Sequence, residues 1–442
     1  MLRRRIINIL FWSVISAAFI GPGTITTAAK AGAGYRFDLL WALVFSTIAC
    51  LLLQEASARI TIFSGRNLGE AISSRFRNRS SRIGILILIV GAIIAGSAAY
   101  ETGNILGAMA GVQLILPVPR FFLVLIIGLL AAVALSIPSL RIIAKLMGYI
   151  VVVMGFSFLA TAIALKPQLV MILKGGFIPS LPEPAGAGWL VLGLIGTTVV
   201  PYNLFLGSGI TDKNQDIKEM RIGLSVAVLL GGIISMAVLV VGTAVTGEFN
   251  YDNLVNTLSG KLGKWAILIF GLGMFSAGFT SAITAPLASA ITAKSLFFSP
   301  QRETWRITGR NFKMVWGFVL MTGIVLGLTN IEPIPAIILA QALNGLVLPV
   351  ISIFLLFVVN DSGLMGREGV NGWFTNILLG LVVWVTLVIG LTNIMRAIQN
   401  IPGMMAMDQS KTILPVSVVS LMFSILVFLK IYRIRMNRNP NE

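Results

Sequence analysis

The sequence contains no histidine, and its single cysteine, Cys50, stands inside an apolar run. Disulfides, Cys/His metal sites and histidine-based acid–base catalysis are therefore excluded together. Charge is scarce as well: 11% of residues are charged and 57% hydrophobic, where soluble domains carry about 25% charge. Acids are the scarcer sign, with 16 Asp and Glu against 33 Lys and Arg. No phosphate-cradling loop and no nucleophile–base pair stands out, so neither an enzyme nor a cofactor site is expected. What remains is an all-α integral membrane protein.

The net charge of +17 does not point to nucleic acid. The bases cluster between apolar segments, where they set membrane orientation and leave the lipid bilayer as the surrounding partner. The opening "MLRRRIINILFW" has a basic end like a signal peptide, but the apolar stretch runs on without a small-residue cleavage site. It is expected to stay as the first spanning helix.

A crossing of about 30 Å of hydrocarbon needs about 20 apolar residues. Such segments fall near 6–34, 38–63, 83–111, 120–138, 141–165 and 187–211. A second series lies near 220–246, 262–293, 312–329, 334–359, 372–396 and 412–434. Eleven or twelve transmembrane helices are expected from these. Lys and Arg concentrate in alternate loops, including Arg66, Arg75, Arg141, Lys145, Lys213, Arg221, Lys294 and Arg310, and in the tail. Intervening loops such as "TGEFNYDNL" are acidic or lack bases. Both termini are expected in the cytoplasm and the chain in the plasma membrane. A Pro- and Gly-rich loop, "KPQLVMILKGGFIPSLPEPAGAG", divides the chain after the fifth segment.

The first segment carries Gly21-Pro22-Gly23, and the sixth carries Pro201 in "GTTVVPYNLFLGS". Unpaired backbone at membrane depth survives where it lines a cavity, so unwinding is expected at 21–24 and 197–202. The two prolines lie five segments apart, an odd offset, which inverts the second half in the membrane. "AGSAAYET" (95–102) also echoes "AGFTSAIT" (277–284). Together these read as a secondary transporter with its substrate between two discontinuous helices. Half-helix carbonyls suit a cation and half-helix amides suit an anion, so geometry leaves the substrate's sign open.

At these residues the chain resembles the Nramp (natural resistance-associated macrophage protein) metal-transporter family. "GPGT…LLW" and "QEASARITIFSGRNLGEAI" are similar to its first two helices, and "GLIGTTVVPYNLFLGS" to its sixth. "GMFSAGFTSAIT" and "AQALNGLVLP" resemble its eighth and tenth. The resemblance implies a LeuT-type inverted repeat of five plus five helices with one or two extra helices. The repeats are expected at 1–180 and 181–362, with the extra helices in 363–442. It also implies alternating access and a divalent cation of the Mn²⁺/Fe²⁺/Mg²⁺ class.

The family's first-helix Asp-Pro-Gly-Asn reads Gly21-Pro22-Gly23-Thr24 here, and its sixth-helix Met-Pro-His-Asn reads Val200-Pro201-Tyr202-Asn203. The carboxylate, the soft thioether and the histidine are replaced, and thioether ligands are what favour soft transition metals. Candidate substrate-binding residues are Gly21, Thr24, Thr27, Thr197, Thr198, Val200, Tyr202, Asn203 and Gln341, with the metal unknown. Thr280, Ser281 and Thr284 stand as further neutral ligands or as interhelical hydrogen-bond partners. A non-metal small solute (an anion, an amino acid or similar) is the alternative cargo.

Few charges lie within the spans. Glu101 is the most central carboxylate, and the family keeps a glutamate at the matching place on its proton route. It is either a coupling group for protons or a structural hydrogen-bond partner. Glu55 precedes Arg59 by four residues, the stabilising order on a helix, as an intrahelical pair or an inner-gate latch. Lys30 lies about 9 Å beyond Thr24 along the helix. It either snorkels to the interface or faces an outer vestibule.

Overall fold

A computed structural model describes residues 2–74, 79–182, 186–245, 247, 249–297, 303–329, 331–399 and 409–436. Within the helices, the side chains of 2–4, 79–83, 85–88, 333–344, 346, 396–399, 409–411 and 436 fall outside the description. All regular structure among the described residues is helical.

The two prolines each start a helix. α1 (Leu2–Phe19) ends two residues before α2 (Pro22–Tyr35), and the pair is bent by 66°. α3 (Leu40–Ser64), the short α4 (Leu68–Ser74), α5 (Arg79–Gln113), α6 (Arg120–Leu135) and α7 (Leu140–Ala164) follow. After the short α8 (Leu169–Phe177), the second interrupted pair is α9 (Ala187–Thr198) and α10 (Pro201–Ile210). Then come α11 (Ile217–Gly242), α12 (Tyr251–Leu262), α13 (Trp265–Phe297), α14 (Arg310–Gly327) and α15 (Pro333–Val358). α16 (Ser362–Gly369), α17 (Trp373–Gln399) and α18 (Gln409–Met436) close the chain. Each predicted apolar segment falls on one of these helices or interrupted pairs. Among the described residues eight spans are long and apolar enough to cross a membrane, ten with each bent pair counted as one. α6 and α14 occupy the two remaining predicted segments.

Both breaks are narrower than expected. Helix resumes at Pro22 and Pro201, so only Ile20–Gly21 and Val199–Val200 leave the helical path. Gly23, Thr24, Thr197 and Thr198 are helical. The reason is local: proline at the first helical position lacks only an amide that would be unpaired there anyway, and its fixed φ is already helical. Gly21, Val199 and Val200 take extended conformations.

The centre of the bundle is the pairing of α5 with α13, the two helices that carry the echoed sequence. Small residues let their backbones touch, as is usual between helices in lipid. A Cβ on Gly278 would lie 2.3 Å from the Ala108 amide nitrogen, and one on Gly111 would lie 2.4 Å from that of Phe275. Around this pair, α1 packs on α7, α11 and α13, and α2 on α11 and α9. Phe158 and Phe270 meet edge-on between α7 and α13 at 5.5 Å. The Pro22 ring sits on Gly107 of α5, where a Cβ would come within 2.2 Å of Cγ. That contact holds the first break against the central helix.

Candidate functional site

Ending a helix inside the bundle leaves its last carbonyls without amide partners. At the end of α1 they are met by side chains. Asn203 Nδ2 donates to the Ile15 carbonyl at 3.2 Å and Tyr202 Oη to that of Ala18 at 3.0 Å. Thr24 Oγ1 donates to the Phe19 carbonyl at 2.5 Å, and Ser281 Oγ lies 3.4 Å from that of Ala17. Donors from α2, α10 and α13 thus converge on one helix end. The threonines at the break have their first use here: Thr24 closes the carbonyl end that the bend exposes.

At the end of α9, Thr197 and Thr198 both turn their hydroxyls back to the Leu194 carbonyl, at 3.1 and 3.0 Å. This is the common habit of a threonine in an apolar helix. The Val200 carbonyl accepts the Asn203 amide at 3.1 Å.

Between the two breaks lies a cavity of about 10 Å³, roughly the room one water needs. Gly21, Gly23, Thr24, Thr197, Val200, Tyr202, Ser281, Tyr100 and Asn104 line it, with Ala18 and Phe19. Of the expected substrate residues, Gly21, Thr24, Thr197, Val200 and Tyr202 are brought together there. Thr27, Thr198 and Asn203 are buried nearby but off its lining. Gln341 lies on α15, and its side chain falls outside the described residues. Sequence reasoning missed Tyr100 and Asn104. Their i,i+4 spacing on α5 puts both on one helix face, and that signal was available beside the more conspicuous Glu101.

The cavity is lined by neutral groups only. Among the described residues no group of three or more His, Cys, Asp or Glu could hold a metal ion. A cation entering here meets hydroxyl, amide and carbonyl oxygens, the ligands of hard ions.

Glu101 sits one residue from this lining. It is fully buried, its Oε2 accepts from Asn104 Nδ2 at 3.2 Å, and its Oε1 has no hydrogen-bond partner among the described residues. Asn104 therefore connects the cavity to the carboxyl group. Gly323 of α14 packs against it, where a Cβ would lie 2.5 Å from Glu101 Cγ. Tyr100 and Tyr202 meet edge-on at 6.3 Å across the cavity.

The charged pair on α3 is more than intrahelical. Glu55 bonds Arg59 at 3.1 Å and also Arg221 of α11 at 2.8 Å. Arg59, only 4% exposed, donates in addition to the Gly369 carbonyl and to Asn371 Oδ1. Asn371 continues the chain to Asn376 at 2.9 Å, and its carbonyl accepts from Arg435 of α18 at 2.8 Å. The intrahelical pair is thus part of a network that also ties α3 to α11 and α18. Lys30 is exposed on α2 and does not line the cavity.

Comparison with known proteins decides the family. Residues 13–396 match the family described as "Natural resistance-associated macrophage protein-like". The chain belongs to the Nramp family. A curated Nramp relative, the divalent metal cation transporter MntH of Deinococcus radiodurans, is 27% identical over 405 residues, covering 87% of this chain and 88% of that one. A solved mutant of the Eremococcus coleocola manganese transporter superposes with a TM-score of 0.75 at 18% identity, over 98% of this chain and 94% of the other. Mhp1, a nucleobase-cation-symport-1 family transporter, superposes with a TM-score of 0.56 at 15% identity, over 97% and 96%. The fold of this Nramp chain is thus the LeuT-type architecture, and it is a multi-pass membrane protein of a transporter family.

Proposed function

We propose that this protein is a secondary active transporter that moves a divalent metal cation across the membrane by alternating access. The observation that carries the reading is the convergence of both broken helices on one small cavity, where neutral polar residues stand among apolar ones. The Nramp membership and the naming of a relative as a divalent metal cation transporter support the substrate class. The non-metal solute gains no support from these relatives and is not carried further.

The cation is met by neutral oxygens around Thr24, Thr197, Val200, Asn104 and Ser281, and keeps part of its water. With neither carboxylate nor thioether at the breaks, Mn²⁺ and Mg²⁺ are favoured over soft Cd²⁺. The cavity is too small for a hydrated ion, so substrate enters when the helices rock apart. Glu101, linked through Asn104, is the coupling group for protons. The repeats run 1–180 and 181–362, each opening with an interrupted helix, and 363–442 adds α17 and α18. Both termini face the cytoplasm, as the distribution of bases supports.

Purified protein in proteoliposomes with an entrapped metal-sensitive dye tests this. Mn²⁺ or Mg²⁺ flux without a preference for Cd²⁺ is expected. No flux of any divalent cation, with the protein shown to be folded, would overturn the reading.

A further inference from the structure

At the end of the bundle away from the amino terminus lies a second, larger cavity of about 920 Å³. Its lining gathers four cations from separate parts of the chain: Arg36 after α2, Lys166 after α7, Lys174 on α8 and Lys261 on α12. The one carboxylate in the lining is Asp38. Lys261 Nζ is held by the Ala244 carbonyl at 3.2 Å, and the other three side chains are exposed. Arg36 and Lys166 have φ of 51° and 50°, and among the described residues they are the only non-glycines with positive φ. Such conformations are uncommon outside glycine and concentrate where function holds them.

The helix beside this cavity has an unusual surface. α8 is 9 residues long, far short of a membrane crossing. It is seated through Gly175 and Gly176, which are buried; a Cβ on Gly175 would lie 2.1 Å from the Phe37 carbonyl. Its opposite face presents Leu169, Val170, Leu173 and Phe177, with Val170 75% and Phe177 74% exposed. An apolar face beside lysines is the pattern of a helix lying in the membrane interface.

We propose that this cavity binds the phosphate headgroup of an anionic phospholipid, whose acyl chains leave it over Met171, Ile178 and Leu181, on and after α8. The charge balance selects an anion, and the exposed apolar residues that share the lining with these cations, Met171, Ile178 and Leu181, select an amphiphile. The site stands apart from the cavity between the breaks and does not depend on the transport reading. It includes the end of α2, the second half of the first broken helix, so an occupying lipid touches that element directly.

The test is native mass spectrometry of the full chain released from nanodiscs of phosphatidylglycerol and phosphatidylcholine in equal amounts. Wild type should retain phosphatidylglycerol preferentially. The double variant Lys166→Gln/Lys174→Gln should bind it roughly thirtyfold more weakly, the loss expected for two lysines at an anionic surface. Lys166→Arg/Lys174→Arg should restore retention, which separates lost charge from lost folding. Equal retention of the two lipids overturns the proposal, as does undiminished phosphatidylglycerol retention by the glutamine variant. In detergent, millimolar inorganic phosphate should not reproduce the thermal stabilisation given by phosphatidylglycerol. If it does, the site is one for small anions, and the lipid assignment falls.

Discussion

Tyr202 donates its hydroxyl to the Ala18 carbonyl at 3.0 Å, tying the start of α10 to the carbonyl end of α1. The bond joins the two broken helices at the cavity itself, and the tyrosine is 2% exposed. In the family pattern a histidine stands at this place. A tyrosine phenol ordinarily titrates near 10, so here the position serves geometry.

Tyr202→Phe leaves the Ala18 carbonyl without that donor. A net loss of about 1–3 kcal/mol is expected for a buried polar group deprived of its partner. The arrangement that suffers is the closed one, so the variant should label faster at a cysteine introduced in place of Thr197. Unchanged labelling and unchanged thermal midpoint would show that the bond does not hold the two breaks together.

Restoring the family's ligands meets a steric condition. A Cβ on Gly21 would lie 2.8 Å from Ser281 Oγ and 3.7 Å from Asn104 Oδ1. Gly21→Asp alone should therefore be poorly tolerated, and Gly21→Asp with Ser281→Ala better. Adding Val200→Met supplies a thioether and should move selectivity toward Cd²⁺. Competition by Cd²⁺ against Mn²⁺ uptake measures the shift, and its absence in a folded triple variant would contradict the placement of Gly21 and Val200 at the ion.

Glu101 has one oxygen on Asn104 and the other without a partner among the described residues. As the coupling group it makes uptake depend on pH; as a structural acid it is replaceable by glutamine. Glu101→Gln should abolish the pH dependence of uptake while leaving cation binding in place. A mutant with the pH profile of wild type would remove Glu101 from the mechanism. Gly323→Ala, which presses a methyl into Glu101, should weaken coupling without touching the cavity lining.

Arg59 is a buried cation held by Glu55, Gly369 and Asn371. Removing one partner of a buried charge typically costs about 3–5 kcal/mol, while losing one neutral acceptor of a charged donor costs about 1.5–3. Glu55→Gln should therefore lower the thermal midpoint more than Asn371→Ala. Glu55→Gln should also raise cysteine accessibility between α3 and α11, because Arg221 loses its tie along with Arg59, whereas Asn371→Ala should leave that seam as it is. Equal, negligible effects would reduce the network to a surface feature.

The spans and both breaks were legible because hydrophobic length and proline chemistry act locally. Pro22 and Pro201 stand where helices begin, whatever surrounds them. How the freed carbonyls are met was not legible, since Tyr202 and Asn203 reach the Ala18 and Ile15 carbonyls from a distant part of the sequence. Five expected residues meet at the cavity, but Thr27 and Thr198 do not line it, because the direction a helix face takes beside a break is a tertiary property. Asn104 went unnoticed for the opposite reason. A neutral amide beside a buried glutamate attracts little attention in a sequence, although here it is the group that joins that glutamate to the cavity.

The most direct test of the central claim is divalent-cation uptake into proteoliposomes with Thr24 and Thr197 altered together. The account places a partly hydrated cation among neutral oxygens between the two breaks. Wild type should carry Mn²⁺ or Mg²⁺ without favouring Cd²⁺, and Thr24→Val/Thr197→Val should reduce that uptake at least tenfold while the protein stays folded. Undiminished uptake in the double variant, or strong Cd²⁺ preference in wild type, would contradict it.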